Sequence, residues 1–310
     1  MKMTEADFEA LVDMAMRDPS RAHMGPVIRK ELLHYDILFC LDRAGMLDNL
    51  IFQGGTSLRL CYGSRRYSED LDFVGGRDFS SSSLRDMKCA LEDYLATRYG
   101  LEVTVKDPAV LRQEPDYSEL NVDKWQISVV TSPERRDVPR QRIRIEVANI
   151  PAYTREVIVL RKNHPFLPDG YDDILVAVES LDEIMADKLV SLAAAKQVRH
   201  RDIWDLSWLQ QQGAVMRPDL VRNKLDDYRV TGYSSMVDNI IDRCPSIIDG
   251  DTFQNQMKRF LPADVQEQTL SRDRYREALT GSITGLYTEL KQRLLSDTDD
   301  NDGGRAPAID

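Results

Sequence analysis

The sequence predicts an α+β protein, with a mixed β-sheet and flanking helices in its first part and a helical part after about residue 180. Three observations carry this. Short stretches of apolar–polar alternation recur between residues 49 and 160, a period that gives an extended strand one covered face. From Ser180 onward the apolar residues fall at helical spacing almost to the C-terminus. Between these patterns, Phe52-Gln53-Gly54-Gly55-Thr56-Ser57-Leu58 runs an apolar strand into two glycines, and Arg66-Tyr67-Ser68-Glu69-Asp70-Leu71-Asp72-Phe73 follows with two carboxylates on a second strand.

Taken in order, Thr4-Glu5-Ala6-Asp7 caps a short helix through about Met16, stopped by Asp18-Pro19. A second helix runs from near Pro26 to Arg43, with Val27, Ile37 and Leu38 on its apolar stripe, and stops at Ala44-Gly45. Asn49 to Gln53 is a buried strand that turns sharply at the glycines, and Thr56-Ser57 caps a helix through about Cys61. Ser80 to Ser83 begins a helix carrying Leu84, Met87, Leu91 and Leu95, ended by Tyr99-Gly100. Strands follow at Leu101–Val105, Trp125–Val130, Ile143–Val147 and near 157–160. Ser180-Leu181-Asp182-Glu183 is a capping-box start, and Ser271 to about Leu295 a final amphipathic helix. The expected division is 1–180, a helical 181–295, and a disordered acidic tail at 296–310. There is no internal repeat.

Composition sets limits on function. With 310 residues, 42% of them hydrophobic, the chain can build real cores. A net charge of -11 argues against coating nucleic acid through a general positive field. Arginine is nevertheless dense at Arg65-Arg66, at Arg140-Gln141-Arg142-Ile143-Arg144 and around Lys196 to Arg201, where an anionic substrate could be met. No apolar run reaches membrane-spanning length and the N-terminus lacks the build of a signal peptide, so no membrane association and a cytoplasmic location are expected. Cys40, Cys61, Cys89 and Cys244 are scattered, and His23, His34, His164 and His200 show no zinc spacing.

The chemistry concentrates around the glycines. Without side chains, Gly54 and Gly55 let their amides approach a phosphate, while the following helix start favours negative charge. In an extended strand Asp70 and Asp72 share one face, with α-carbons roughly 6.6 Å apart, and Leu71 and Phe73 face the core. Two carboxylates about 4 Å apart repel by roughly 4 kcal/mol at an effective dielectric near 20. Either the pair lies on a solvated strand face, or a divalent cation resolves the conflict, and an all-oxygen donor set favours magnesium or manganese. Glu146, between Ile145 and Val147, adds a third carboxylate by strand context alone. Three carboxylates on adjacent strands suit two-metal phosphoryl or nucleotidyl transfer, with Glu146 also helping to deprotonate the attacking hydroxyl.

Lys188 falls inside the apolar stripe of Leu181, Ile184, Met185 and Leu192, so it either snorkels to solvent or finds an anion such as a phosphate. Further on, Arg201-Asp202-Ile203-Trp204-Asp205-Leu206 sets two acids three residues apart on one side of a helix, where Asp202 could equally be an N-cap. A continuous helix would hold Lys188 and Asp202 roughly 21 Å apart. If both serve one site, the helix must break, and the expected place is between Gln197 and Arg201.

Together, the Phe52–Leu58 motif, the Arg66–Phe73 motif, Lys188 and Arg201–Leu206 resemble the AbiEii/AbiGii toxin family of nucleotidyltransferases, in the DNA polymerase β-like superfamily. The resemblance spans roughly residues 30 to 210. It implies a two-lobed protein, a nucleotidyltransferase sheet with a helical lobe closing over the nucleotide, that moves a nucleoside monophosphate from a triphosphate (NTP) to an acceptor. Some relatives modify the 3′ end of tRNA and block aminoacylation, so the expected acceptor is RNA, foremost tRNA, with an antitoxin as partner and a role in phage defence. The resemblance also assigns Gly54, Gly55, Thr56 and Ser57 to the phosphates, Asp70 and Asp72 to magnesium, Lys188 to the triphosphate, and Asp202 or Asp205 to completing the site. Arg66 would neutralise the leaving pyrophosphate. Ser68 is a candidate control point, since a phosphate there adds about two negative charges beside the metal site. The alternatives are nucleotidylation of a protein or small molecule, or a catalytically silent nucleotide-binding defence protein.

Overall fold

The computed structural model describes residues 4–112, 122–133, 138–167 and 170–302. They divide into two compact units, one of Met1–Ser180 with Arg259–Asp264, the other of Leu181–Lys258 with Val265–Asp310. The first contains α1 (Glu5–Met16), α2 (Gly25–Arg43), β1 (Ile51–Gln53), α3 (Gly54–Leu60), β2 (Leu71–Val74), α4 (Met87–Tyr99), β3 (Glu102–Lys106), α5 (Pro108–Leu111), β4 (Val122–Val130), β5 (Gln141–Ala148), β6 (Glu156–Val159) and β7 (Leu175–Val178). The strands form one seven-stranded sheet in the order β3-β4-β5-β2-β1-β7-β6. It is mixed, as expected: β2 runs parallel to β5 and β1 parallel to β7, and the other neighbours are antiparallel.

Period-2 patterning decides which face is covered. Ile143, Ile145 and Val147 of β5, Trp125, Ile127 and Val129 of β4, and Leu71 and Phe73 of β2 are all buried, in one core with Leu32 and Ile28 of α2 and Leu91 and Leu95 of α4. The alternate residues form the open face. The α1 capping box forms between Thr4 and Asp7. A buried polar trio pins α3 to α2: Arg59 Nε donates to Glu31 Oε2 at 2.7 Å, and His164 Nε2 lies 2.8 Å from Glu31 Oε1. The segment 259–264 completes this unit, since Phe260 joins the core and its carbonyl accepts from Tyr67 N at 2.9 Å.

Three elements depart from the sequence reading. Strand β7 was not foreseen, because Leu175-Val176-Ala177-Val178 is a continuous apolar run without alternation. Helix α3 begins at Gly54, so Thr56 and Ser57 lie within it and cap nothing. Ser81–Leu84 is a separate 3-10 turn, with Ser80 as its cap, ahead of α4.

The remaining helices are α6 (Leu181–Ala194), α7 (His200–Gln211), α8 (Pro218–Asp227), α9 (Tyr233–Asp249), α10 (Asp251–Lys258), α11 (Ala263–Gln268) and α12 (Asp273–Asp302). The hydroxyls of Tyr233 and Tyr287 both donate to the Leu189 carbonyl at 2.9 Å, tying α9 and α12 to α6. Helix α12 carries past Leu295 into the segment expected to be disordered, and residues 303–310 lie outside the described residues. Among the described residues no helix is long and apolar enough to cross a membrane.

Candidate active site

The first unit gathers one set of foreseen residues at the centre of its sheet. In the strand register Gln53 of β1 faces Asp72 of β2, Asp72 faces Glu146 of β5, and Glu146 faces Lys124 of β4, so the four form one row on the open face. Lys124 Nζ sits 3.4 Å from Glu146 Oε1. Asp70, just before β2, is held at both ends: its side-chain Oδ1 accepts from Arg144 N at 3.1 Å, and its carbonyl accepts from the Thr56 hydroxyl. Glu146, placed in the sequence by strand context alone, thus lies directly beside Asp72.

The two glycines are demanded by what lies against them. Gly54 has φ +77°, in the left-handed region, and a Cβ there would fall 2.6 Å from Asp72 Oδ2. A Cβ on Gly55 would fall 2.3 Å from Arg66 Nη2 and 3.0 Å from Ser68 Oγ. The motif therefore packs a carboxylate against one glycine and a guanidinium with a hydroxyl against the next. Arg66 is only 2% exposed and donates through Nη1 to the Tyr67 carbonyl at 2.7 Å. Thr56 and Ser57 are buried, and Ser57 Oγ donates to the Gly54 carbonyl at 2.8 Å, so both hydroxyls serve to hold the turn.

The second unit gathers the other set. The helix breaks at residues 195–199, between α6 and α7 and a little ahead of the expected place between Gln197 and Arg201, and this brings Lys188 Nζ within 2.6 Å of Asp202 Oδ1 and 3.0 Å of Asp205 Oδ2. The anion that the buried lysine requires is this pair of aspartates. Ser191 Oγ donates to Asp202 Oδ2 at 2.7 Å, and Arg199 adds a contact at 2.9 Å. Burial works to raise the Asp202 carboxyl, but the Lys188 and Arg199 charges and the bonds from Lys188 and Ser191 hold it at about 2.

A neighbouring cluster on the same helix escaped the sequence reading. Lys224 of α8 is fully buried between Glu183 Oε1 at 2.8 Å and Asp187 Oδ2 at 2.9 Å. The signal was present in the same form as for Lys188: Lys224 follows Leu220 and Val221 at helical spacing on a buried stripe.

The sequence pattern of a family described as "Nucleotidyl transferase AbiEii toxin, Type IV TA system" matches residues 36–307. The chain belongs to this family. The AbiEii-family chain is accordingly a nucleotidyltransferase of a toxin lineage, with a nucleotide as substrate and an antitoxin as the family's counterpart. No curated protein matches it. Among solved structures it is similar to MenT4, a nucleotidyltransferase toxin from Mycobacterium tuberculosis, at 18% identity and a TM-score of 0.53, covering 94% of this chain and 93% of that one. JHP933 from Helicobacter pylori matches at 17% identity and a TM-score of 0.48, covering 89% and 97%. The likeness to MenT4 is one of fold.

Proposed function

We propose that this AbiEii-family chain is a metal-dependent toxin that transfers a nucleoside monophosphate to an RNA acceptor, foremost the 3′ end of tRNA, and so arrests translation and growth. The observation that carries the reading is the row Gln53–Asp72–Glu146–Lys124, with Asp72 packed against Gly54 at the mouth of the glycine turn.

In the reaction the acceptor hydroxyl attacks the α-phosphorus of the NTP, the bond to the β-phosphate oxygen breaks, and pyrophosphate leaves. Asp70, Asp72 and Glu146 offer only carboxylate oxygens, the donor type that magnesium and manganese take, and Asp70 keeps one oxygen besides the one bonded to Arg144 N. Such an ion, when bound, lowers the charge on the phosphates and favours the alkoxide of the acceptor. Glu146 accepts the hydroxyl proton. The backbone amides of Gly54, Gly55 and Thr56, left free in the first turn of α3, are assigned to the triphosphate, since both hydroxyls are engaged with carbonyls; Ser57, whose amide closes that turn on Gln53, supports the turn. Arg66 supplies the buried positive charge beside Gly55. Lys188 is assigned a phosphate contact, with Asp202 and Asp205 orienting its ammonium. Ser68, with its hydroxyl beside Gly55, is the site where a phosphoryl group would block the turn. The division into a catalytic lobe at 1–180 and a helical lobe from 181 belongs to the same proposal.

Labelled triphosphates incubated with total RNA, with total protein and with neither test this. Label in tRNA, lost together with growth arrest in Asp70→Ala, is expected; toxicity that persists in Asp70→Ala refutes the catalytic reading.

A further inference from the structure

The open face of the sheet does not end at the candidate carboxylates. On β5, Arg144 and Arg142 follow Glu146 on the same side, both exposed, while Ile143 and Ile145 between them are buried. The register carries this face outward: Arg144 pairs with Gln126 and Gln126 with Lys106, while Arg142 pairs with Ser128 and Ser128 with Thr104. Lys124, beside Glu146, opens the β4 column. In a chain of net charge -11, this face presents Lys106, Lys124, Arg142 and Arg144, interleaved with the neutral hydrogen-bonding groups of Gln126, Ser128 and Thr104. At the far end of the face Glu102 pairs with Arg140 at 3.3 Å.

We propose that the open face of β5, β4 and β3 is the bed of a single-stranded RNA acceptor, with Arg144 and Arg142 binding the phosphates behind the reacting 3′ hydroxyl. This rests on the functional reading above. Arg144 stands about 6.6 Å and Arg142 about 13 Å from Glu146 along the strand, so the bed begins at the site and leads away from it. Arg144 is also tied to the site through its own amide, which donates to Asp70 Oδ1. The chemistry of the face defines what it reads. None of its paired positions is aromatic, so bases have no stacking platform there, whereas guanidinium and ammonium groups suit phosphate oxygens. Recognition along this bed is therefore by the backbone, dependent on salt and tolerant of sequence.

The test uses the full chain and a short fluorescent single-stranded RNA, with anisotropy read across a salt series, beside transfer kinetics. In Arg142→Ala/Arg144→Ala, affinity at about 0.1 M salt falls roughly tenfold. The slope of log affinity against log salt shrinks by about 1.4, from two contacts at about 0.7 each on a single strand. KM for the triphosphate is unchanged. Arg243→Ala/Arg274→Ala, which removes two exposed arginines of the second unit, leaves affinity and slope as they were. If the wild type labels RNA while Arg142→Ala/Arg144→Ala retains its RNA affinity and slope, the bed is wrong and the functional reading stands. A wild type that labels protein and not RNA overturns both.

Discussion

Replacing Gly54 with alanine separates the catalytic demand on this turn from the folding demand. A residue with a Cβ at φ +77° carries a left-handed cost of about 1–2 kcal/mol. Its Cβ would lie 2.6 Å from Asp72 Oδ2, and ordinary contact begins at 3.4 Å, so the carboxylate must retreat by 0.8 Å. A displacement near 1 Å at a reacting centre costs about 10²-fold in rate, equivalent to about 2.7 kcal/mol. Gly54→Ala is thus expected to lose about two decades of nucleotidyl transfer while its melting temperature, read by circular dichroism, falls by only about 2–8 °C. The Asp72→Ala background provides the control. There the 2.6 Å contact is gone and only the Cβ of residue 72, at 3.3 Å, remains, so Gly54→Ala should cost little beyond the backbone strain. Wild-type turnover in Gly54→Ala refutes the contact between Gly54 and Asp72 as the reason for the glycine.

The second unit makes two further predictions. Asp202 has a folded value of about 2 against an ordinary 3.8. Its ionised form therefore contributes about 2 kcal/mol that is present above pH 4 and lost as pH falls through about 2. Acid unfolding followed by tryptophan fluorescence should show this loss below pH 4, and Asp202→Asn should flatten that part of the curve; an unchanged acid limb counts against the pairing. Lys188→Met removes the ammonium shared by two buried carboxylates, of which Asp202 keeps Arg199 and Ser191, and should destabilise by about 3 kcal/mol, part of which returns when Asp205→Asn is added. A denaturant midpoint equal to wild type in Lys188→Met would show that solvent, and not the lysine, compensates the acids.

Local pattern made the sheet legible wherever alternation was present, as in Ile143-Arg144-Ile145-Glu146-Val147. It failed at β7, where both faces are apolar and the period vanishes. The carboxylate row was legible as residue types, but not as a row: that Asp72 faces Glu146 is a matter of register between strands more than seventy residues apart. The reason for two glycines was likewise hidden, because it lies in side chains from the following loop and strand. Lys188 was recognisable as a buried cation in search of an anion. Its partners came from a helix break that no periodicity encodes, though the need for such a break could be stated from the rise of a helix. Lys224 carried the same stripe signature and went unread because no motif drew attention to it.

The return of residues 259–264 to the first unit has a bearing on how the polypeptide becomes active during synthesis. Tyr67, between Arg66 and Ser68, takes its backbone partner from Phe260, so the loop flanking the glycine turn gains that partner only after most of the chain has left the ribosome. A nascent chain stalled at residue 180 would hold every carboxylate of the row and still lack this clasp. Premature termination anywhere before residue 259 would then leave an unclasped loop beside the glycine turn.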